Sequence, residues 1–118
     1  MLIADDHLLF AEALAAILAT DKRFEVVGQA HNGEEAVQLA AAEKPDVVVM
    51  DISMPKLDGV EAAKRITTKR RSARVLMLTG SSSSADVARA REAGVAGYVT
   101  KDRIASELVD SILEAAGR

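Results

Sequence analysis

Three carboxylates, a threonine hydroxyl and a lysine ammonium carry the chemistry this chain could do: Asp5 and Asp6, Asp51, Thr79 and Lys101. If the carboxylates meet, electrostatics limits what they become. Two of them ~4 Å apart repel by about 4 kcal/mol at an effective dielectric near 20, and a third adds to the strain. Such a cluster binds a cation or keeps a proton. With oxygen ligands and no histidine or cysteine arrangement around them, the cation is a hard one. An incomplete carboxylate shell suits Mg²⁺, with Mn²⁺ as its substitute, together with waters and a phosphoryl group. Thr79 would add a hydroxyl donor, Gly80 and Ser81 leave room for close approach, and Lys101 would bring its ammonium from the far side.

Each residue also has a plainer reading. A single Asp after a strand most often begins a turn. An Asp pair ahead of a helix is most often its cap, and a lone lysine is most often solvated. His7, next to the acidic pair, reads as an exposed residue of a helix's first turn, because one histidine beside hard ligands is weak evidence for a metal. The chemistry therefore depends on whether the fold gathers these residues.

The elements that must position them are legible in the hydrophobic pattern. Residues 1–4 form a short apolar run ending in Asp5-Asp6. Phe10, Ala13, Leu14, Ile17 and Leu18 then recur at helical spacing, which predicts a helix over 7–19 capped by Asp5 or Asp6. Val26-Val27 mark a second strand within 24–30, Asn32-Gly33 a turn, and 34–43 a second helix. Val47 to Met50 is an unbroken apolar run between Pro45-Asp46 and Pro55, the pattern of a central strand buried on both faces, and it delivers Asp51 at its carboxyl end. A third helix follows over 58–68 with Asp58 as cap. Residues 69–74 (KRRSAR) are basic and read as a solvated loop beside a helix C-terminus rather than a nucleic-acid patch. Four more apolar residues, 75–78, make a fourth strand running into Thr79-Gly80. An alanine-rich fourth helix over 85–93, a fifth strand around Tyr98-Val99 and a fifth helix bearing Ile104, Leu108, Val109, Ile112 and Ala115 complete the chain.

Strand and helix alternate five times with short connections, which predicts an α/β, doubly wound (βα)5 flavodoxin-like fold with a parallel sheet and helices on both faces. The common strand order for five strands, 2-1-3-4-5, makes the first and third strands neighbours at the switch point, where ligands bind. Asp5 and Asp6 would then lie beside Asp51.

Composition narrows the function further. At 118 residues, 49% hydrophobic and 28% charged, the chain is one globular domain. A net charge of -3 and a pI near 5.4 are poor for holding DNA directly. There is no cysteine, which excludes disulfides, thiolate metal sites and cysteine nucleophiles. Aromatics are 3% with no Trp, so stacking of bases is disfavoured. No apolar stretch approaches a membrane span and no basic N-terminal region leads into a signal-like segment, so no membrane association and a cytoplasmic location are expected.

Asp5-Asp6, then Asp51-x-x-Met54-Pro55-x-x-Asp58-Gly59, then Thr79, then Gly97-Tyr98-x-x-Lys101 together resemble the receiver domain of bacterial two-component response regulators. The resemblance covers residues 1–118 as one receiver domain, with any output domain outside this chain. The segments 2–7 (LIADDH) and 93–98 (AGVAGY) further resemble the NarL/FixJ (LuxR-type) subfamily, whose members usually carry a C-terminal helix-turn-helix domain.

The resemblance implies that Asp51 is the phosphoacceptor, taking a phosphoryl group from a sensor histidine kinase. It implies that Asp5, Asp6, Asp51 and the Ser53 backbone carbonyl hold Mg²⁺, and that Lys101 and Thr79 bind phosphoryl oxygens. It also implies that Tyr98 turns inward as the surface of the fourth helix, fifth strand and fifth helix changes. Ser53 and Ser81 are expected to tune dephosphorylation. A homodimer formed on phosphorylation and DNA contacted only through an output domain complete the implied partners. Where many receivers have proline after the lysine, this chain has Asp102, so a cis bond there would be costly. The alternative is a Mg²⁺-dependent phosphatase with an aspartyl-phosphate intermediate. Haloacid-dehalogenase phosphatases carry a second Asp two residues after the nucleophile, where this chain has Ser53. A flavodoxin-like FMN binder would need a hydroxyl-rich loop in place of Asp5-Asp6-His7.

Overall fold

The run that ends in Asp51 forms strand β3 (Val47–Asp51), and all five of its residues are buried. In the computed structural model, which describes residues 1–52, 54, 56–80 and 84–117, it lies at the centre of a five-stranded parallel sheet. β1 (Leu2–Ala4) pairs with it on one side and β4 (Arg74–Thr79) on the other. β2 (Gly28–Ala30) extends the sheet beyond β1, and β5 (Gly97–Thr100) beyond β4, giving the expected order β2-β1-β3-β4-β5.

Alternate residues of each strand feed two cores. Leu2, Ala4, Val48, Met50, Val75 and Met77 point to the face covered by α2 (Gly33–Glu43) and α3 (Gly59–Lys69), where Ala36, Ala40, Ala62, Ala63 and Ile66 pack. Ile3, Val47, Val49, Leu76 and Leu78 point to the other face, covered by α1 (Leu8–Ala19) and α5 (Ile104–Ala116). This period of two is what a strand buried on both faces requires. α4 (Ser84–Glu92) belongs to the first face through Ala90, and a single 3₁₀ turn (Lys101–Arg103) joins β5 to α5.

Capping follows the sequence at α3, departs from it at α1, and at α2 falls where only a turn was expected. Asn32 Oδ1 accepts the Glu35 N–H at 2.8 Å, and Glu35 Oε1 accepts the His31 N–H at 3.1 Å, so the expected Asn-Gly turn is the head of α2. Asp58 caps α3 as predicted, accepting the Glu61 N–H at 2.9 Å. At α1 the capping position is His7, not Asp5 or Asp6, and its side chain makes no capping bond; Asp5 instead accepts the His7 N–H at 2.9 Å.

Two further expectations are corrected. The buried stripe of α1 is Ala11, Leu14, Ala15 and Leu18, whereas Ala13 and Ile17 are exposed. An apolar residue at helical spacing can fall just outside the core-facing arc. The second strand occupies only Gly28–Ala30 of the predicted 24–30, because β1 offers three residues to pair with. Phe24 and Val26 pack on the α1–α5 core instead, and the Val27 N–H donates to the Met1 carbonyl at 2.9 Å. Among the described residues no helix is long and apolar enough to cross a membrane.

Candidate functional site

The carboxyl ends of β1 and β3 lie side by side, with Ala4 opposite Met50, so the residues that follow each strand emerge together. Asp5 is fully buried and Asp51 nearly so, while Asp6 is partly exposed. Ligand atoms from Asp5, Asp6, His7 and Asp51 all come within 4.8 Å of one another. His7 keeps a mostly exposed side chain, as expected of a first-turn residue, yet its Nδ1 lies 3.4 Å from Asp5 Oδ1 and 3.6 Å from Asp6 Oδ1.

Lys101 enters from β5. Its Nζ lies 3.4 Å from Asp5 Oδ2 and 3.5 Å from Asp51 Oδ1, joining the two buried carboxylates. The geometry is that of ion pairs rather than close hydrogen bonds, and no described group hydrogen-bonds to the buried Asp5 Oδ2. Three carboxylates facing one ammonium leave two negative charges when all are ionised. Burial pushes the Asp51 carboxyl above the usual Asp range, the Asp5 charge adds to this, and Lys101 opposes it. A hard divalent cation fits this site on chemistry: three carboxylates with one exposed imidazole beside them, a charge of two left over when all three are ionised, and a buried oxygen with no hydrogen bond from a described group.

The loop after Asp51 is held by close backbone packing. A Cβ on Gly59 would lie 2.2 Å from the Asp51 carbonyl oxygen and 2.9 Å from Ile52 Cα, and the Gly59 N–H donates to the Ile52 carbonyl at 3.0 Å. Only a glycine lets the first turn of α3 rest against the end of β3. A Cβ on Gly33 would likewise meet the Leu57 carbonyl, so the head of α2 abuts the same loop. Lys56, with φ 66°, makes the left-handed turn between them.

The remaining predicted residues divide. Thr79 is fully buried at the end of β4, one position beyond the residue paired with Asp51. Tyr98 lies on β5 opposite Met77 and is 39% exposed, so its ring is on the surface. Ser53 and Ser81 lie outside the described residues. The Lys101–Asp102 bond is trans, like every described peptide bond. Sequence reading missed one neighbour: the Phe10 ring, whose centroid is 4.8 Å from Lys101 Nζ. Phe10 reads in the sequence only as one of the helical apolar residues, and nothing local ties it to a lysine 91 positions away.

Comparison with known proteins agrees with this architecture. Residues 1–113 match the response regulator receiver domain. The transcriptional regulatory protein PdtaR of Mycobacterium tuberculosis is 42% identical over 118 residues, covering all of this chain and 57% of that protein. The chain spans about half the length of the curated relatives it matches. The signal receiver domain of the response regulator NarL from Mycobacterium tuberculosis superposes with a TM-score of 0.92 at 34% identity, covering 98% of this chain and 94% of that one. CheY in a CheX–CheY–BeF₃–Mg²⁺ complex from Borrelia burgdorferi gives 0.86 at 27%, covering 95% and 84%. With relatives of the NarL and LuxR type and a sheet of matching order, the chain belongs to the response regulator receiver domain family.

Proposed function

We propose that the chain is a phosphorylation-operated switch in which Asp51 accepts a phosphoryl group from a phosphohistidine on a sensor histidine kinase. The observation that carries this reading is Lys101 joined to both Asp5 and Asp51, with two negative charges left over. An Asp51 carboxylate oxygen attacks phosphorus, and the phosphorus–nitrogen bond of the donor breaks with its electron pair returning to the imidazole. The product is an acyl phosphate. Asp5, Asp6, Asp51 and the Ser53 carbonyl would hold Mg²⁺ or Mn²⁺, which when bound supplies charge neutralisation to the phosphoryl oxygens.

The chain's own groups do the positioning. Gly59 fixes the Asp51 backbone, so the carboxylate is presented from a rigid strand end. Lys101 pairs with a phosphoryl oxygen, and the Thr79 hydroxyl is drawn to another. Tyr98 then moves from its surface position toward the site, and the face formed by α4, β5 and α5 changes shape. Ser53 and Ser81 set how long the acyl phosphate survives. The domain acts on no outside substrate; its chemistry is gain and loss of its own phosphoryl group.

The relatives named as transcriptional regulators are about twice as long, which supports an output through a DNA-binding helix-turn-helix domain, with phosphorylation promoting a homodimer. Cytoplasmic action follows from a kinase partner that uses intracellular phosphodonors. The mass of the intact protein tests the core of this reading. After incubation with a small phosphodonor and Mg²⁺, one phosphoryl group is expected, absent in Asp51→Asn and absent when the metal is chelated. No adduct, or the same adduct in the variant, overturns it.

A further inference from the structure

Lys101 is held on three sides, and only two of them are charged. Asp5 Oδ2 and Asp51 Oδ1 approach its ammonium at 3.4 and 3.5 Å, and the Phe10 ring from the first turn of α1 closes the third side at 4.8 Å from the centroid. That distance is within the range of a cation–π contact. Phe10 is itself anchored, since it packs against the core between the sheet and α1 and α5. The lysine side chain is 27% exposed, so its free direction is outward, into the open cleft that it lines with Asp6, His7 and Phe10.

The two kinds of contact respond differently to what the site must bind. A divalent cation competes with Lys101 for the same carboxylate oxygens and repels its ammonium. Phosphorylation of Asp51 then turns one of the two carboxylates the lysine was facing into an acyl phosphate, so the ammonium has to pass from a carboxylate oxygen to a phosphoryl oxygen. Both events exchange the charged contacts, the first by competition and the second by offering a phosphoryl oxygen in place of a carboxylate one, and neither involves the ring. An aromatic face therefore keeps the ammonium beside the reacting oxygen while its anionic partners are being exchanged.

We infer that Phe10 is a positioning residue for Lys101, its ring holding the ammonium in the site through metal binding and phosphoryl transfer. This rests on the reading of Asp51 as the phosphoacceptor. The role belongs to the π face rather than to apolar bulk, which separates Phe10→Leu from Phe10→Tyr: leucine keeps most of the volume, and tyrosine keeps the ring.

The test uses two readouts on the wild-type chain and both variants. The first is the NMR shift of the Lys101 ε-methylene protons, which a ring overhead moves upfield. The second is the rate of phosphorylation by a small phosphodonor with Mg²⁺, alongside Mg²⁺ affinity and a thermal melt. Phe10→Leu is expected to return the ε-methylene signals to ordinary lysine values and to slow phosphorylation roughly threefold to tenfold, in keeping with the strength of such contacts. Its Mg²⁺ affinity should stay within about twofold, since the ring touches no carboxylate. Phe10→Tyr is expected to match wild type in both readouts. A Phe10→Leu variant with wild-type rate, unshifted wild-type signals, or a defect shared equally by Phe10→Tyr overturns the inference. A wild-type chain that takes up no phosphoryl group overturns the phosphoacceptor reading and the Phe10 role with it, an outcome distinct from a phosphorylated wild type matched by Phe10→Leu.

Discussion

Arg89 of α4 is tied to Asp58 at the head of α3: its Nη2 donates to Asp58 Oδ2 at 3.1 Å, while Oδ1 of the same carboxylate accepts the Glu61 N–H at 2.9 Å. The pair links the loop that follows Asp51 to a helix whose only buried residue, among those described, is Ala90. Both side chains are about half exposed, so the bond contributes little to global stability. Its effect on α4 should be larger, because that helix has few other attachments. Arg89→Gln is expected to lower unfolding stability by less than about 1 kcal/mol. Amide exchange in α4 should nonetheless quicken severalfold, while α5 stays unchanged. Exchange followed by NMR checks this, and equal effects in both helices would remove the special link.

Gly59→Ala should be among the most damaging small substitutions, because its Cβ would sit 2.2 Å from the Asp51 carbonyl oxygen. Either α3 or the end of β3 has to shift, a cost of roughly 1 to 3 kcal/mol by analogy with overpacked sites. Gly80→Ala is the control, since nothing lies within 4 Å of its would-be Cβ. Urea unfolding of both variants measures the contrast.

The burial and Asp5 charge that raise the Asp51 carboxyl carry a sign for stability. A carboxyl whose folded value lies above its unfolded one binds its proton more tightly in the native state. Its contribution is fully present below the ordinary Asp value near 3.9 and is lost as pH climbs through the raised folded value. Asp51→Asn removes that loss. In metal-free buffer the variant should melt above wild type at pH 7, and the gap should close as pH falls toward 4.

A divalent cation should act in the same direction as that substitution. Mg²⁺ is expected to raise the melting temperature of wild type beyond an ionic-strength-matched potassium control. At a concentration about a hundred times its dissociation constant the gain is roughly 2.7 kcal/mol. Asp6→Asn and Asp51→Asn should each reduce the response, and thermal melts across a Mg²⁺ titration would show it.

The parts of the site that could be read from sequence are those fixed by strand ends. An apolar run such as 47–50 states its own burial, the alternation of strands and helices sets their order, and the order alone brings Asp5 beside Asp51. The Asp58 cap is an equally local signal, whereas Asn32-Gly33 reads only as a turn and proves to be the cap of α2. What escaped depends on contacts between distant segments. The length of β2 is set by how many residues β1 offers, not by Val26-Val27, and the exposure of Ile17 depends on how α1 is rotated on the sheet. The Phe10 ring meets Lys101, and Arg89 meets Asp58, only after elements distant in sequence have packed.

Lys101 stands beyond β5 yet reaches Asp5 at the end of β1, passing the ends of β4 and β3 on the way. During synthesis Asp5 and Asp51 leave the ribosome well before the lysine whose ammonium joins them. A nascent chain lacking β5 would hold four of the five strands with Asp5 and Asp51 uncompensated by that ammonium, and should stay open to chaperones or proteases. The ammonium that joins the two buried carboxylates would thus also close the fold, coupling synthesis of β5 to the moment the domain becomes stable.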